Sequence, residues 1–480
     1  MRGVFPLLSL ALLAACRPTL PSRPNVVLIV VDTLRADALG SYGNRRGLTP
    51  FLDRWADQGT RFANAYAASS WTLPSVASLL TSRYPTQHRV TSFFAYLADD
   101  ETTLAHVLHR HGWATAAFSA NPALPRHLAA SGFDTFPAYE PWRKLATPPL
   151  VRKSLLWVDR VRRETPGRPL FLYYQLMEPH APYEPPEPYR ARFAASELPA
   201  ARLNLLHMRF LLGVGKHLTM AEAVQLCGLG DMPAWVPGWR AEHDVRRADL
   251  DYARSLYDGE VASLDAALRR LFVELDARGV LRHAIVVVTA DHGEEFGDHG
   301  FFTHGTGLYN ELIHVPLLLA GDGIPSGTRT QAVSLVDVAP TVLDLAGLPP
   351  EPTFEGRSLV PLAVRTAPAV DVVSELPETS AGGVGMHTKA VVRGELKLLA
   401  LERGGPGNGT GLSGTEVYDL HTDPGELVAP TAPLRARAIP MMVSLRTFAD
   451  ALAPRARTAT PTAPITDEMR DQLRALGYVN

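Results

Sequence analysis

The sequence predicts an α/β fold with a large, mostly parallel β-sheet covered by helices on both faces, followed by a small C-terminal α+β subdomain with an antiparallel sheet. Short, continuous apolar runs rich in β-branched residues are typical of strands buried on both faces. These runs alternate with helical patterns, which favours parallel strands joined by helices. Beyond residue 350, two alternating runs flank a glycine-rich segment, which indicates an antiparallel hairpin.

Five apolar runs are the predicted strands of the large sheet: 25–31, 114–119, 170–176, 284–289 and 314–319. The clearest helical pattern covers 250–275, where apolar residues recur every three or four positions. Arg278 and Gly279 then supply a basic last turn and a stop signal. These patterns divide the chain into a large domain at 24–350 and a C-terminal subdomain at 351–480, in which 466–476 is a predicted terminal helix.

The composition is that of an ordinary globular protein. Of the 480 residues, 46% are hydrophobic and 20% are charged, which is enough apolar material for one large domain and a smaller one. The formal net charge is −2 and the sequence contains no basic block. We therefore expect no nucleic-acid partner.

The N-terminus predicts export. Residues 1–16 combine the early Arg2 with an apolar run of signal-peptide length. The run ends in Leu-Ala-Ala-Cys16, which resembles a bacterial lipobox; the alternative is an ordinary secretory signal in which Cys16 is incidental. We expect a lipoprotein anchored to a membrane through Cys16, with 17–23 as a linker, on an outer-membrane, periplasmic or cell-surface face. The second cysteine, Cys227, then has no intramolecular partner, so we expect no disulfide framework.

Residues 186–248 interrupt the alternation of strands and helices. The segment contains apolar helical pieces and two tryptophans, Trp235 and Trp239. It is interpreted as an insertion that either roofs a cleft or adds packing at its rim.

Polar residues follow three of the predicted strands directly. Asp32 follows the first strand, His180 comes shortly after 170–176, and Asp291 and His292 follow 284–289. Ligands of open α/β sheets bind beyond the carboxyl ends of the strands. The pattern therefore predicts a functional site at this edge of the sheet.

Asp32, Asp291 and His292 form a plausible ligand set for one divalent cation. Two carboxylates and one imidazole suit Zn²⁺ or Mn²⁺, and Ca²⁺ less well. The alternative for each aspartate is a helix N-cap. His304 follows in a glycine-flanked loop, where the alternative is a surface turn.

Other charged residues near these strands are interpreted as solvated. His106 and His109 are expected on the wet face of an amphipathic helix rather than in a second metal site. Arg35 and Asp37, after Asp32, are expected to form an exposed pair.

Thr72, in the stretch WTLPSVASLLTS, lies where a helix is predicted to begin. Pro74 suits the first helical turn, and Val76 starts the apolar stripe. The simple interpretation is a threonine cap. However, a helix N-terminus also attracts anions, and a hydroxyl beside a divalent cation becomes a usable nucleophile.

The sequence resembles the sulfatase branch of the alkaline phosphatase superfamily over nearly the whole chain. The matching stretches occur in family order: RPNVVLIVVDTLRADALGSYG, TPFLDRWADQGTRFANAYA, TLPSVASLLTSRYPTQH, EPHAPYEPP, YDGEVASLD, TADHGEEFGDHG, HGTGLYNELIHVPLLL and EVYDLHTDPGE. The resemblance implies an alkaline phosphatase-like fold with a sulfatase-like catalytic domain at 24–350.

The resemblance also implies roles for the residues above. It makes Thr72 the nucleophile and a shared metal ligand, beside the metal ligands Asp32, Asp291 and His292. His180 and His304 would contact the non-bridging and leaving-group oxygens of the ester.

The sequence departs from the sulfatase pattern at three positions. Thr72 replaces the cysteine or serine that is oxidised to formylglycine, Val76 replaces an arginine, and Thr33 replaces the second aspartate of a pair. Thr72 cannot become formylglycine, because its extra methyl group would leave a ketone rather than an aldehyde. In this respect Thr72 resembles the nucleophile of phosphoethanolamine transferases.

Three functions are consistent with these residues. The first is a metal-dependent hydrolase of small-molecule or glycan sulfate esters, acting through Thr72. The second is a phosphodiesterase or phosphoryl transferase acting through phospho-Thr72. The third is a non-catalytic descendant that binds anionic glycans. The presence of Asp32, Asp291, His292, His180 and His304 argues for catalysis, and the missing arginine slightly favours monoanionic substrates.

Overall fold

A computed structural model of the chain describes residues 23–92, 95–121, 124, 131–136, 147–194, 247–300, 302–364, 370–376, 389–403, 411–452 and 455–457. The predicted signal peptide at 1–16, nearly all of the linker, Cys227 and the terminal helix at 466–476 lie outside the described residues. So does most of the insertion at 186–248.

The large sheet has seven strands in the order β3-β4-β1-β5-β8-β2-β9. All neighbours pair in parallel except β8, which is antiparallel to both β5 and β2. The prediction of a mostly parallel sheet is confirmed. The strands, with the ribbon β6–β7, are β1 Asn25–Val31, β2 Thr60–Tyr66, β3 Ala114–Ser119, β4 Leu170–Leu176, β5 Ala284–Ala290, β6 Glu295–Phe296, β7 Phe302–Thr303, β8 His314–Gly321 and β9 Gly327–Ser334.

The central strands are covered on both faces, because every residue of β1, β3, β4 and β5 is buried. The helices are α1 Pro50–Ala56, α2 Thr72–Thr81, α3 Pro85–His88, α4 Leu104–Arg110, α5 Thr147–Glu164, α6 Tyr189–Phe193, α7 Arg247–Ala277, α8 Asn310–Ile313, α9 Val338–Leu345, α10 Val360–Val364 and α11 Ala432–Leu452. One group of contacting helices contains α1, α5 and α7, and another contains α2, α4 and α9. None of the helices in the described part of the chain combines the length and hydropathy needed to cross a bilayer.

The strand register brings the predicted site residues together. Val31 pairs with Leu176 of β4 on one side and with Ala290 of β5 on the other. Because the strands are parallel and in this register, Asp32 and Asp291 leave the sheet at the same level.

The C-terminal subdomain is built on a four-stranded antiparallel sheet, as predicted. Its strands, in the order β10-β11-β12-β13, are β10 Val372–Glu375, β11 Lys389–Arg393, β12 Leu396–Arg403 and β13 Gly411–Asp419. Helix α11 contacts β11, β12 and β13. The loop after β13 reaches back to the large domain, where the buried Glu426 accepts a hydrogen bond from the Asn310 amide.

Candidate active site

The strand-end residues Asp32, Asp291 and His292 lie together, and all three are fully buried. His292 Nε2 lies 3.6 Å from Asp32 Oδ1 and 3.7 Å from Asp291 Oδ2. The potential ligand atoms of this cluster all lie within 4.8 Å of one another. We call these three residues the catalytic cluster.

Two amides hold the carboxylates of the catalytic cluster in place. Asn121 Nδ2 donates to Asp32 Oδ2 over 2.6 Å, and Gln175 Nε2 donates to Asp291 Oδ2 over 3.1 Å. Asp32 Oδ1 accepts no hydrogen bond from any described residue. A buried carboxylate oxygen without a donor is costly unless a cation faces it, so the residues present fit a metal ion.

His292 presents a lone pair to the cluster. Its Nδ1 donates to the Gly293 carbonyl over 2.9 Å, which leaves Nε2 as the unprotonated nitrogen. Burial, together with the neighbouring His304, lowers the pKa of His292 to about 3. The imidazole is therefore neutral at physiological pH, as a metal ligand must be.

Burial, and then the nearby charge of Asp32, raise the pKa of Asp291 well above its usual range. The amides of Thr33 and His292 donate to Asp291 Oδ1 over 3.3 and 2.9 Å and only partly oppose this. Two carboxylates in one dry site repel each other, and a bound cation would offset that repulsion.

Thr72 is the first residue of helix α2, and Trp71 occupies the N-cap position. Thr72 Oγ1 lies 3.2 Å from His292 Nε2, so the hydroxyl faces the catalytic cluster. The interpretation of Thr72 as a helix cap is therefore wrong, because the chain enters the helix one residue earlier. Ser75 Oγ donates to the Asp291 carbonyl over 2.6 Å and ties the first turn of the helix to the cluster.

His304 and His180 complete the site, and both are buried. The ring centroid of His304 lies 4.6 Å from that of His292 and 5.0 Å from that of His180. His304 is therefore not in a surface turn. His180 Nδ1 is hydrogen-bonded to the Ala181 carbonyl, and burial lowers its pKa.

Glu294 orients His304. His304 Nδ1 is hydrogen-bonded to Glu294 Oε1 over 2.8 Å, and the Tyr183 hydroxyl donates to Glu294 Oε2 over 3.0 Å. Burial raises the pKa of Glu294 to about 7 and lowers the pKa of His304 to about 4. A carboxylate–imidazole pair of this kind can hold and release a proton beside a reacting ester.

Sequence reasoning missed Asn121, Gln175, Glu294 and Tyr183. Gln175 lies inside an apolar strand run, and its polarity there was a signal that could have been used. Glu294 is separated by one glycine from a predicted metal-binding pair, and other acidic residues lie close by. Nothing in the sequence marks it as the partner of His304.

Thr33, Thr72 and Val76, the three residues that depart from the sulfatase pattern, are all buried. Thr33 adopts a left-handed backbone conformation with a φ of 56°, and its hydroxyl has no hydrogen-bond partner among the described residues. Such strain in a β-branched residue is typical of functional sites. Val76 is packed in the core and is 1% exposed, so the side chain at this position brings no charge to the site.

The expectation of an exposed Arg35–Asp37 pair is wrong for Arg35. The Arg35 side chain is 8% exposed, lies 2.7 Å from Asp37 and 3.1 Å from Asp298, and donates to the Glu294 carbonyl. The chain after Asp32 forms two short 3₁₀ turns, Ala36–Ala38 and Gly40–Tyr42, so the arginine folds inward instead of projecting from a helix.

His106 and His109 lie on helix α4, as predicted, and His109 is exposed; His106 is partly buried, and its Nδ1 is hydrogen-bonded to the Thr103 hydroxyl. In the described ranges, the groups of histidine and acidic residues that could hold a metal ion are the catalytic cluster and a second group, Glu295, His299 and Glu311. His106 and His109 belong to neither group.

Comparisons with known proteins agree with the fold. The family model described as "Sulfatase" matches residues 24–348. Arylsulfatase K of Rattus norvegicus is 26% identical over 462 residues, which cover 88% of this chain and 78% of the relative. A protein solved in complex with its substrate D-glucosamine-2-N,6-O-disulfate has a TM-score of 0.68 and 22% identity over 92% of this chain and 99% of that one. Phosphonate monoester hydrolase of Agrobacterium radiobacter has a TM-score of 0.65 and 21% identity over 93% and 99% of the two chains.

Proposed function

The chain belongs to the sulfatase family, and from this premise we propose that it is a metal-dependent hydrolase of sulfate esters that uses Thr72 itself as the nucleophile. The observation that carries the proposal is the position of the Thr72 hydroxyl, 3.2 Å from His292 Nε2 at the start of a helix. The protein would thus belong to a branch in which threonine replaces the residue that becomes formylglycine.

The metal ligands in this proposal are Asp32, Asp291, His292 and Thr72. A divalent cation bound there would lower the pKa of the threonine hydroxyl and neutralise charge on the ester oxygens. We expect Zn²⁺, with Mn²⁺ as the alternative, because two carboxylates and one imidazole form a typical zinc donor set. Ca²⁺ usually takes six to eight oxygen ligands, which is more than this cluster supplies.

The chemistry of the side chains then follows in two steps. The Thr72 hydroxyl gives up its proton to solvent, and Oγ1 forms a bond to sulfur while the bond between sulfur and the leaving oxygen breaks; the leaving alcohol takes a proton from the Glu294–His304 pair. Water next attacks the sulfur of sulfo-Thr72 while the bond between sulfur and Oγ1 breaks. One proton of the water returns to the same pair, the other returns to Oγ1, and sulfate is released. Backbone N–H groups in the first turn of the helix have no intrahelical acceptors and can stabilise the non-bridging oxygens.

A second candidate function is the hydrolysis or transfer of a phosphodiester group through phospho-Thr72. The buried Val76, in place of an arginine, favours this alternative over a phosphate monoesterase. A sulfate monoester and a phosphodiester each carry one negative charge at the reacting centre, whereas a phosphate monoester carries two. The structural likeness to a phosphonate monoester hydrolase is compatible with this alternative but concerns the fold alone.

The experiment that separates these functions uses the mature chain reconstituted with Zn²⁺, Mn²⁺ or Ca²⁺. Initial rates on matched 4-nitrophenyl sulfate, phosphate monoester and phosphodiester substrates identify the reaction class. We expect Zn²⁺ to support the highest rate on a monoanionic ester, and quenched protein to carry the transferred group on the peptide that contains Thr72. If no ester is hydrolysed with any of the metals while sulfated glycans still bind, the protein is a glycan-binding descendant.

We also propose that the protein is exported and anchored through a lipidated Cys16. The substitution Cys16→Ser is then expected to release it from membranes. Membrane association that persists in this variant would show another anchor.

A further inference from the structure

We propose that a buried ion pair in the C-terminal subdomain, Lys397–Glu426, positions His304 in the active site. This inference rests on the proposed function, in which His304 donates the proton that the leaving group takes. Residues 294–311 carry His304 and contact the C-terminal subdomain near their end. We call this segment the His304 loop.

The ion pair binds the end of the His304 loop directly. Lys397 Nζ lies 2.7 Å from Glu426 Oε1, and both side chains are 0% exposed. The two residues also bind Asn310: Lys397 Nζ donates to its side-chain oxygen over 3.0 Å, and Glu426 Oε2 accepts from its backbone amide over 2.6 Å. The loop therefore ends on a charge pair of the C-terminal subdomain, formed by Lys397 of strand β12 and Glu426 of the loop after β13.

His299 forms a second attachment between the loop and the C-terminal subdomain. Its Nδ1 is hydrogen-bonded to Glu311 Oε1 over 2.6 Å, and its Nε2 to the Glu426 carbonyl over 3.2 Å. Burial lowers the pKa of His299, but the hydrogen bond and charge of Glu311 outweigh burial and raise the pKa to about 9. The Tyr309 ring stacks on this imidazole, with centroids 3.5 Å apart.

The group Glu295, His299 and Glu311 is therefore an ion-pair network rather than a metal site. Both nitrogens of His299 face acceptors, so the imidazolium donates twice and has no lone pair for a metal. The cation of this network is the protonated His299, and its two hydrogen bonds hold the loop in place.

His304 lies between these attachments and the nucleophile. The Glu295 carboxylate accepts hydrogen bonds from the His299 amide over 2.9 Å and from the Thr306 hydroxyl over 3.2 Å. The Gly305 amide donates over 2.9 Å to the carbonyl of Ser70, two residues before the nucleophile. If the end of the loop moves, His304 moves relative to the reacting ester, and small displacements of catalytic groups are costly.

The chain contains a matched control for this ion pair. Lys389, on the neighbouring strand β11, lies 3.0 Å from Glu375, and this pair is also buried. Glu375 accepts hydrogen bonds from the amide and hydroxyl of Thr86, which lies in helix α3 outside the His304 loop. Removing Lys389 therefore deletes a comparable buried charge in the same sheet.

The test compares Lys397→Met with Lys389→Met on an aryl ester with a good leaving group, 4-nitrophenyl, and on one with a poor leaving group, phenyl. A misplaced proton donor harms the poor leaving group more. We expect Lys397→Met to lower kcat for the phenyl ester about tenfold more than for the 4-nitrophenyl ester, with little change in KM. Lys389→Met should lower both rates by the same factor, and Lys397→Arg should restore the wild-type ratio.

A second variant and a hydrogen-exchange measurement complete the test. If Lys397→Met does not fold, the double variant Lys397→Met/Glu426→Gln replaces it, because it leaves no unpaired buried charge. Hydrogen exchange of loop amides should be faster in the Lys397 variant than in Lys389→Met, whether or not any ester is hydrolysed. Equal exchange in the two variants, or equal rate losses on both esters, overturns the proposal, whereas a wild-type protein without esterase activity refutes only the proposed function.

Discussion

Two clusters in this protein contain the same kinds of residues and have opposite electrostatic characters. Each consists of one histidine and two acidic residues whose potential ligand atoms lie within 4.8 Å of one another. In the catalytic cluster the pKa of His292 falls to about 3, whereas in the second cluster the pKa of His299 rises to about 9.

The difference arises from burial, which dominates at His292, and from the carboxylate bonded to His299, which outweighs burial there. The bonding partners of the two imidazoles also differ. His292 donates to one backbone carbonyl and keeps a lone pair directed at two carboxylates. His299 uses both nitrogens against a carboxylate and a carbonyl. Residue types and proximity therefore do not define a metal site; the lone pairs that remain after internal hydrogen bonding do.

The largest expected effect concerns the nucleophile. Thr72→Ala should lower kcat by about 10⁴-fold or more, because it removes the atom that forms the covalent intermediate. The metal should stay bound through Asp32, Asp291 and His292, as measured by mass spectrometry of the purified protein, although its affinity falls because the Thr72 ligand is lost. Thr72→Ser should keep part of the activity. Activity unchanged in Thr72→Ala would rule out the proposed mechanism.

The comparison between the clusters is tested next by removing each histidine. His292→Ala should weaken zinc binding by about 10²-fold or more, since loss of a ligand costs at least as much as loss of a residue that supports one. His299→Gln should leave zinc binding unchanged. Competition with a chromogenic chelator measures both affinities, and equal weakening in the two variants would contradict the distinction drawn between the clusters.

A smaller effect is expected from the residue that orients His304. Glu294→Gln keeps a hydrogen-bond acceptor but removes the charge, and should lower kcat by about 10²-fold with zinc content unchanged. The loss should be greater for phenyl than for 4-nitrophenyl esters. A loss that is independent of the leaving group would show that Glu294 acts on structure rather than on proton transfer.

The smallest expected effect is in the pH dependence of the free energy of unfolding. Stability that depends on His299 is lost as pH rises, whereas stability that depends on His292 is lost as pH falls. The pKa of His299 is raised in the folded state, so its contribution is complete below its ordinary pKa of 6.5 and is lost as pH rises through about 9. The His299 side chain is 11% exposed, so solvent screens part of its charge, and we expect about 1–2 kcal/mol rather than the full value of the shift. The pKa of His292 is lowered, so in the metal-free protein its contribution is lost as pH falls from 6.5 towards 3.

Thermal unfolding of the metal-free protein across this pH range measures these contributions. The variant His299→Gln should flatten the decline on the alkaline side and leave the acidic side unchanged. A wild-type alkaline decline in this variant would mean that another group titrates there.

The strands that the sequence predicts are those buried on both faces. Strands β1, β3, β4, β5 and β8 appear as apolar runs because helices or neighbouring strands cover nearly every residue. Strands β2 and β9 were missed because polar residues interrupt them at positions that are only partly buried in β2 and are mostly exposed in the first half of β9. In the C-terminal subdomain, by contrast, apolar and polar residues alternate on both sides of a glycine-rich segment, and this pattern was sufficient to predict the antiparallel sheet.

The site was only partly predictable. Asp32, Asp291 and His292 follow apolar strands directly, so chain position alone brings them to one edge of the sheet. Asn121 and Glu294 became visible only in the fold, because their roles depend on partners far away in the chain or on the path of a loop.

The local pattern of apolar and polar residues was enough to establish the α/β architecture, the edge that carries the ligands and the start of the helix at Thr72. Tertiary structure alone decided the protonation of His292 and His299, the direction of the Thr72 hydroxyl and the contact between Lys397 and the His304 loop. The reason is physical: periodicity reports which side of an element is buried, whereas a pKa or a hydrogen bond depends on burial and on neighbours that are distant in sequence.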